Sequence, residues 1–157
     1  MWAQRLVDLG SAYGDLKGHD GLWQSATETS KDILARLVIV HMVHEARGLD
    51  VTPNMLKKLA KSSDTASETI LRANYAEEIT HVGAGAKWFV HIAKQRHHTE
   101  EQLPELFKGY VKQFFKGGLK PPFNAEARGA AGMPPSWYEP VAAESTSGAQ
   151  GPASAQA

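Results

Sequence analysis

The sequence predicts an all-α fold, two long helices of a bundle with shorter helices around them, and three observations carry that prediction. Apolar residues recur at three- and four-residue spacing over long stretches, as in Ile33, Leu34, Leu37, Val38 and Met42. Glycine- and proline-containing segments separate these stretches at helix-length intervals. Within the longest stretch Glu78 and His81 stand three residues apart, which places a carboxylate and an imidazole side by side on one helical face.

Taken in order, Trp2, Leu6 and Leu9 have helical spacing with nothing before them to cap a helix, so Met1 to Leu9 reads as the last turns of a longer one. Four glycines make Gly10 to Gly21 a loop, and Leu22 to Glu28 fits a short helical turn. Ser30, with Asp32 in the first turn, is the expected cap of a helix running through Ile33, Leu37, Val40 and Met42 to Arg47, and Gly48 is its expected stop. An extended DVTP comes next, then a short helix from Asn54 to Ser62 with Pro53 at its entry. Ser63 or Thr65 opens the longest helix, which carries Ile70, Leu71, Asn74, Glu78, His81, Trp88, Val90 and Ile92 to about Arg96. Thr99, with acidic residues behind it, announces a helix from Glu100 to Phe115, where Pro104 is tolerated in the first turn. From Gly117 the periodicity ends, although Phe123, Trp137 and Tyr138 remain as apolar anchors. The Ser, Ala, Gly and Gln composition of residues 141–157 predicts a disordered tail, so residues 1–140 make up the expected domain.

Composition narrows the function. At 157 residues and 42% hydrophobic content the chain can bury one core. Seventeen basic residues balance 17 acidic ones, so no electrostatic footprint for nucleic acid is present. There is no cysteine, which leaves oxygen and nitrogen as the only metal ligands and excludes thiolate chemistry. The longest apolar run, Leu37 to Val40 with Met42 and Val43 beyond it, is too short to span a bilayer, and no basic-then-apolar leader opens the chain. A soluble cytoplasmic protein without a membrane partner is the expectation. No nucleophile elbow, phosphate-binding loop or dinucleotide fingerprint occurs.

The Glu-x-x-His pair is therefore the feature with chemistry. Such pairs project into helix bundles to hold di-iron or di-manganese centres, with carboxylates from other helices completing the site. Ile79, Val82, Trp88, Phe89 and the small residues Gly83 to Ala86 surround it, so this part of the helix is expected to be buried and Glu78 to need a cation or a donor beside it. Glu45 is the best second carboxylate, because Leu34, Val38 and Met42 mark its face as buried. His41, four residues earlier, would bind metal or hydrogen-bond Glu45, but for His41 and His44 a packed or surface role is the stronger expectation. Asp50 reads as a cap for the short helix after it, Arg47 as its partner or a countercharge, and Glu77 as solvated. His97 and His98 suit a helix C-terminus, and His19 and His91 have no partner in the pattern.

The segments HEARGLDVTP (44–53), EEITHVGAGAKWF (77–89) and KPPFNAEARGAAG (120–132), with YGDLKGHDGLW (13–23) before them, resemble an uncharacterised ferritin-like family that carries only a domain-of-unknown-function label. The resemblance covers about residues 4 to 140. It implies the C-terminal half of a ferritin-like four-helix bundle, with Glu45 as the carboxylate of the third bundle helix and Glu78 and His81 as the pair of the fourth. Members of the family usually have an apolar residue or proline where this chain has His41. The first two bundle helices, with the remaining ligands, would lie before residue 1. The implied function is a di-metal protein, two irons or else manganese, acting as an oxidase or hydroxylase that activates dioxygen on a small-molecule substrate. A homodimer or the missing N-terminal half is the implied partner. The competing expectation is a non-catalytic helical interaction module or inactive fragment, in which Glu78 pairs with His81 or Arg47. A zinc hydrolase comes third, lacking a further ligand and a base.

Overall fold

The computed structural model describes residues 1–139, and the expected tail over 141–157 lies outside them. The described residues are helical with no strand. Helix α1 spans Trp2–Asp8 and α2 spans Gly21–Glu28. Then α3 runs without a break through an α-helical turn Ile33–Arg36, a π-helical stretch Leu37–His44 and an α-helical stretch Glu45–Lys61. A tight bend leads into α4, Thr65–Gln95. A 3₁₀ turn, Glu100–Gln102, precedes α5, Leu103–Phe114, and α6 spans Ala125–Ala130. Residues 135–139 are again helical.

Two capping expectations shift by a residue or two. Asp32, not Ser30, caps α3, its carboxylate accepting from the Leu34 N–H at 3.0 Å. The same carboxylate accepts from Tyr110 Oη at 2.8 Å, which fastens α5 to the start of α3. Burial and that hydrogen bond push the Tyr110 hydroxyl up to about 12. Asp64 caps α4 by accepting from the Ser67 N–H at 3.0 Å, and it also receives Arg5 Nη2 at 2.7 Å, so α1 is held at the bend between α3 and α4. Thr99 caps the turn ahead of α5 as expected, and Gln102 completes a capping box not expected from the sequence.

The larger correction concerns Gly48 and Pro53. Neither ends a helix; both lie inside Glu45–Lys61. An interior glycine costs about 1 kcal/mol and an interior proline about 3 kcal/mol. The face carrying Ala46, Leu49 and Leu56 is buried, and each large apolar side chain contributes about 1.5–3 kcal/mol, so burial outweighs propensity. Pro53 has no N–H to offer the Leu49 carbonyl, and that carbonyl instead accepts from Asn124 Nδ2 at 3.2 Å. Gly48 is where Glu78 lies against α3, since a β-carbon there would stand 3.5 Å from Glu78 Cγ.

Helices α3 and α4 form the main packed pair, with α5 against the π stretch and the segment after α5 closing one side. Val82, Ala86, Phe89 and Ala93 form the buried stripe of α4, and Leu103, Phe107 and Val111 that of α5. Trp88 departs from its expected burial: it is 57% exposed, because its position is about 100° around α4 from Phe89. The loop expected after Gly117 contains α6, whose Asn124 cap accepts from the Ala127 N–H at 3.1 Å. Six residues, four of them Ala or Gly, are too few to give a periodic signal.

Gly85 marks the closest approach of α3 and α4. A β-carbon on it would lie 2.6 Å from His41 Cβ, a distance at which a neighbour must move. Replacing an interior helical glycine by alanine normally stabilises by about 1 kcal/mol. Here overpacking of about 1–3 kcal/mol opposes that gain, so Gly85→Ala is expected to lower the urea midpoint by the equivalent of up to about 2 kcal/mol. An unchanged or raised midpoint would show that the two helices have room to spare.

Candidate metal centre

Glu45 is the first residue after the π stretch of α3. A π turn holds more residues than an α turn and so re-aims the side chains beyond it; such turns are frequent at functional sites. His41 lies within that stretch, and its Nδ1 is 3.0 Å from Glu45 Oε1. The other carboxylate oxygen, Glu45 Oε2, is buried with no hydrogen-bond partner. A buried acceptor left unmade costs about 1–3 kcal/mol, more when charged, so its isolation calls for an explanation.

Glu78 approaches from α4. Burial pushes its carboxyl above the usual carboxylate range, the charge of Glu45 pushes it further, and His81 only partly offsets them. Two acids on facing helices thus share one electrostatic environment. His81 Nδ1 stands 3.7 Å from Glu78 Oε2, within ion-pair reach but beyond a hydrogen bond. The glycines fix this geometry: Gly85 lets the helices close at His41, and Gly48 leaves space for the Glu78 side chain.

His41 thus meets Glu45 on α3, His81 meets Glu78 on α4, and the charge of Glu45 reaches Glu78 across the helix pair. They do not form a sealed interior site. The Glu45 and Glu78 side chains are each 27% exposed, whereas that of His81 is 57% exposed. Among the described residues no group of three or more His, Asp or Glu side chains is arranged to hold a metal ion. The orphaned oxygen and the mutual repulsion fit a cation, but the donors present are an incomplete set for one. A hollow of about 660 Å³ lined by Ile79, Gly83, Val90 and Ala131 does not include any of these four residues.

The other histidines fall into packing roles. Ser25 Oγ lies 2.9 Å from His44 Nε2, the ring meets Phe115 edge-on at 5.5 Å, and burial pushes the imidazole below its ordinary value. His91 stands edge-on to Trp88 at 5.5 Å. His97 adopts a left-handed φ of 66° two residues past the end of α4, and the His98 N–H closes that end on the Ala93 carbonyl.

Asp50 is not a cap. It is 7% exposed and holds a bidentate ion pair with Arg128, Nε to Oδ1 at 2.8 Å and Nη2 to Oδ2 at 2.6 Å, while the Asn124 N–H donates to Oδ1 at 2.9 Å. Arg47 does stand near Asp50, at 3.6 Å, but it donates to the Lys120 carbonyl at 2.7 Å. The Asp50–Arg128 pair spans 78 positions, so local pattern gives no sign of it; the only hint is that Arg128 falls in a segment with no other charge but Glu126 between Lys120 and Glu139.

The family described as "Protein of unknown function (DUF455)" matches residues 1–139. An uncharacterized protein of Haemophilus influenzae is 38% identical over 131 residues, which are 83% of this chain and 44% of that protein. The chain thus spans less than half the length of this relative. No solved structure matches.

Proposed function

The chain belongs to the DUF455 family, and we propose that it contributes Glu45, Glu78 and His81 to a ferritin-like di-metal carboxylate site. One observation carries the reading: a buried, unpartnered Glu45 oxygen beside a second acid, Glu78, whose carboxyl its charge pushes up. A divalent cation satisfies the orphaned acceptor and reverses the repulsion. Oxygen and imidazole ligands suit iron first and manganese second. Iron in such a site supplies the electrons that reduce dioxygen, and an oxidase or hydroxylase of a small molecule is the corresponding activity. Glu45 and Glu78 bind the metal ions through their carboxylates, His81 through a ring nitrogen, and His41 orients Glu45 through the 3.0 Å contact.

Two carboxylates and one histidine are half of the four carboxylates and two histidines of a complete site. The rest come from a second copy of the chain or from a further polypeptide segment. No helix among the described residues is long and apolar enough to cross a membrane, which fits a site supplied from solution.

Anaerobic titration of the chain with ferrous iron, read by absorbance on admission of air and by Mössbauer spectra, tests the proposal. Saturable uptake that Glu45→Gln removes is expected, accompanied by self-association if a second copy completes the site. Absence of uptake by the chain, alone and joined to a longer version, would sink it. The exposure of His81 and Trp88 favours one other reading, a helical interaction module without metal, for which Glu45→Gln and Glu78→Gln leave metal content and partner binding unchanged.

A further inference from the structure

Arg47 lies two residues beyond Glu45 on α3 and about 200° around it, so it faces away from the carboxylate pair. It lines a separate cavity of about 240 Å³ between α3 and the segment after α5. Four cationic side chains line that cavity, Arg47, Lys116, Lys120 and Arg128, against one carboxylate, Asp50. Both Asp50 oxygens are taken by the bidentate contact from Arg128, so these two charges neutralise each other. Arg47 also stands 3.6 Å from Asp50 Oδ2, and with Lys116 and Lys120 the residues around the hollow carry four cations against one carboxylate, an excess of three in a chain whose formal charge is zero.

Both lysines are exposed, and the turn after α5 sets where they stand. Gly117 and Gly118 adopt left-handed φ of 93° and 63°, which turns the chain back after α5 and brings Lys116 and Lys120 to the same rim. Arg47 Nη1 holds the returning limb of this loop by its 2.7 Å bond to the Lys120 carbonyl. That bond occupies one edge of the guanidinium, and the Arg47 side chain remains 44% exposed. Phe115, Leu119 and Phe123 supply an apolar wall beside the charges.

We propose that this cavity binds a small organic phosphate, with the phosphate group among Arg47, Lys116 and Lys120 and a compact apolar body against Phe115 and Leu119. An excess of three charges suits a dianion better than a carboxylate, and the guanidinium fork matches phosphate geometry. The volume is below the usual range of about 300–1,000 Å³ for larger ligands, so the body is no bigger than a single ring. The site is independent of the metal proposal, and its failure leaves that one untouched.

Titration calorimetry of the full chain with phenyl phosphate, inorganic phosphate and chloride of matched ionic strength tests it. Phenyl phosphate is expected to bind saturably and about ten-fold more tightly than inorganic phosphate, because only the former uses the apolar wall. Arg47→Gln is expected to weaken it by about ten-fold or more, and Lys116→Gln, at an exposed position, by several-fold. Lys87→Gln, also exposed but on α4 in a different groove, leaves it unchanged. Lys116→Gln also keeps the test decisive if Arg47→Gln loosens the loop. Heats no larger than those of matched chloride, or equal losses in Lys116→Gln and Lys87→Gln, would overturn the proposal in favour of diffuse surface electrostatics.

Discussion

Arg128→Ala is expected to lower the unfolding temperature by about 6–20 °C. The reason is the state of the carboxylate it leaves behind. The Asp50 side chain is fully buried and that of Arg128 is 3% exposed, so removing the guanidinium strands a charge away from water. Breaking such a pair costs about 3–5 kcal/mol, against a total stability of about 5–15 kcal/mol, and each kcal/mol is worth about 2–4 °C in a domain of this size. The guanidinium also lies over the rings of Phe123 and Tyr138, at 5.0 and 4.6 Å, so the whole segment from Phe123 to Tyr138 is anchored through it. The double replacement Asp50→Leu with Arg128→Met is expected to lose less than either single change, because no charge is left unpaired. It still loses the acceptor of the Asn124 N–H, about 1 kcal/mol. Differential scanning calorimetry of Arg128→Ala, Asp50→Leu, Arg128→Met and the double replacement decides the matter. A fall of under about 3 °C in Arg128→Ala would mean that the pair does not anchor this segment.

Glu78→Gln is expected to act in opposite directions on stability and on metal uptake. The Glu78 carboxyl is pushed up by burial and by Glu45, so folding shifts its titration towards higher pH. A carboxyl whose folded pKa lies above its unfolded value contributes stability that is fully present below the unfolded value and is lost as pH rises through the folded one. Metal-free protein is therefore expected to lose stability as pH climbs out of the ordinary carboxylate range near about 4, and Glu78→Gln, which cannot ionise, to flatten that loss and melt higher than the parent at neutral pH. Metal uptake runs the other way. It should strengthen over the same pH interval, since a proton must leave before the carboxylate binds. Loss of a partner that merely orients a ligand already costs about 10- to 100-fold in affinity, so removing Glu78 itself is expected to cost at least about 100-fold. Melting curves of both proteins from acid to neutral pH, with and without ferrous iron, read both effects. A variant that melts lower than the parent at neutral pH without metal would refute the proposed clash between Glu45 and Glu78.

Much of the helical layout was legible because helices are local objects. Period and caps located α4 to within a residue or two, and Thr99 with the acidic residues behind it located the turn that leads into α5. Gly48 and Pro53 misled for the same reason, since their local penalties are real and are overridden only by burial of the surrounding apolar face and by Asn124, which lies 71 positions beyond Pro53. The Glu78 and His81 pair was legible from its spacing, and Glu45 from the apolar face it shares. The burial of Asp50 was not, because its partner sits on a short helix without periodicity.

The sequence alone determined that this chain is helical, that it has two long helices, and that Glu78 and His81 share one helical face, since hydrophobic period and side-chain spacing are properties of a single stretch of chain. Only the tertiary structure decided that α3 is continuous, that Glu45 Oε2 is orphaned next to Glu78, that His81 is open to solvent, and that Asp50 is buried on Arg128. Each of those facts depends on what lies opposite a residue across a helix interface, and contacts between distant segments leave no periodic trace in either one.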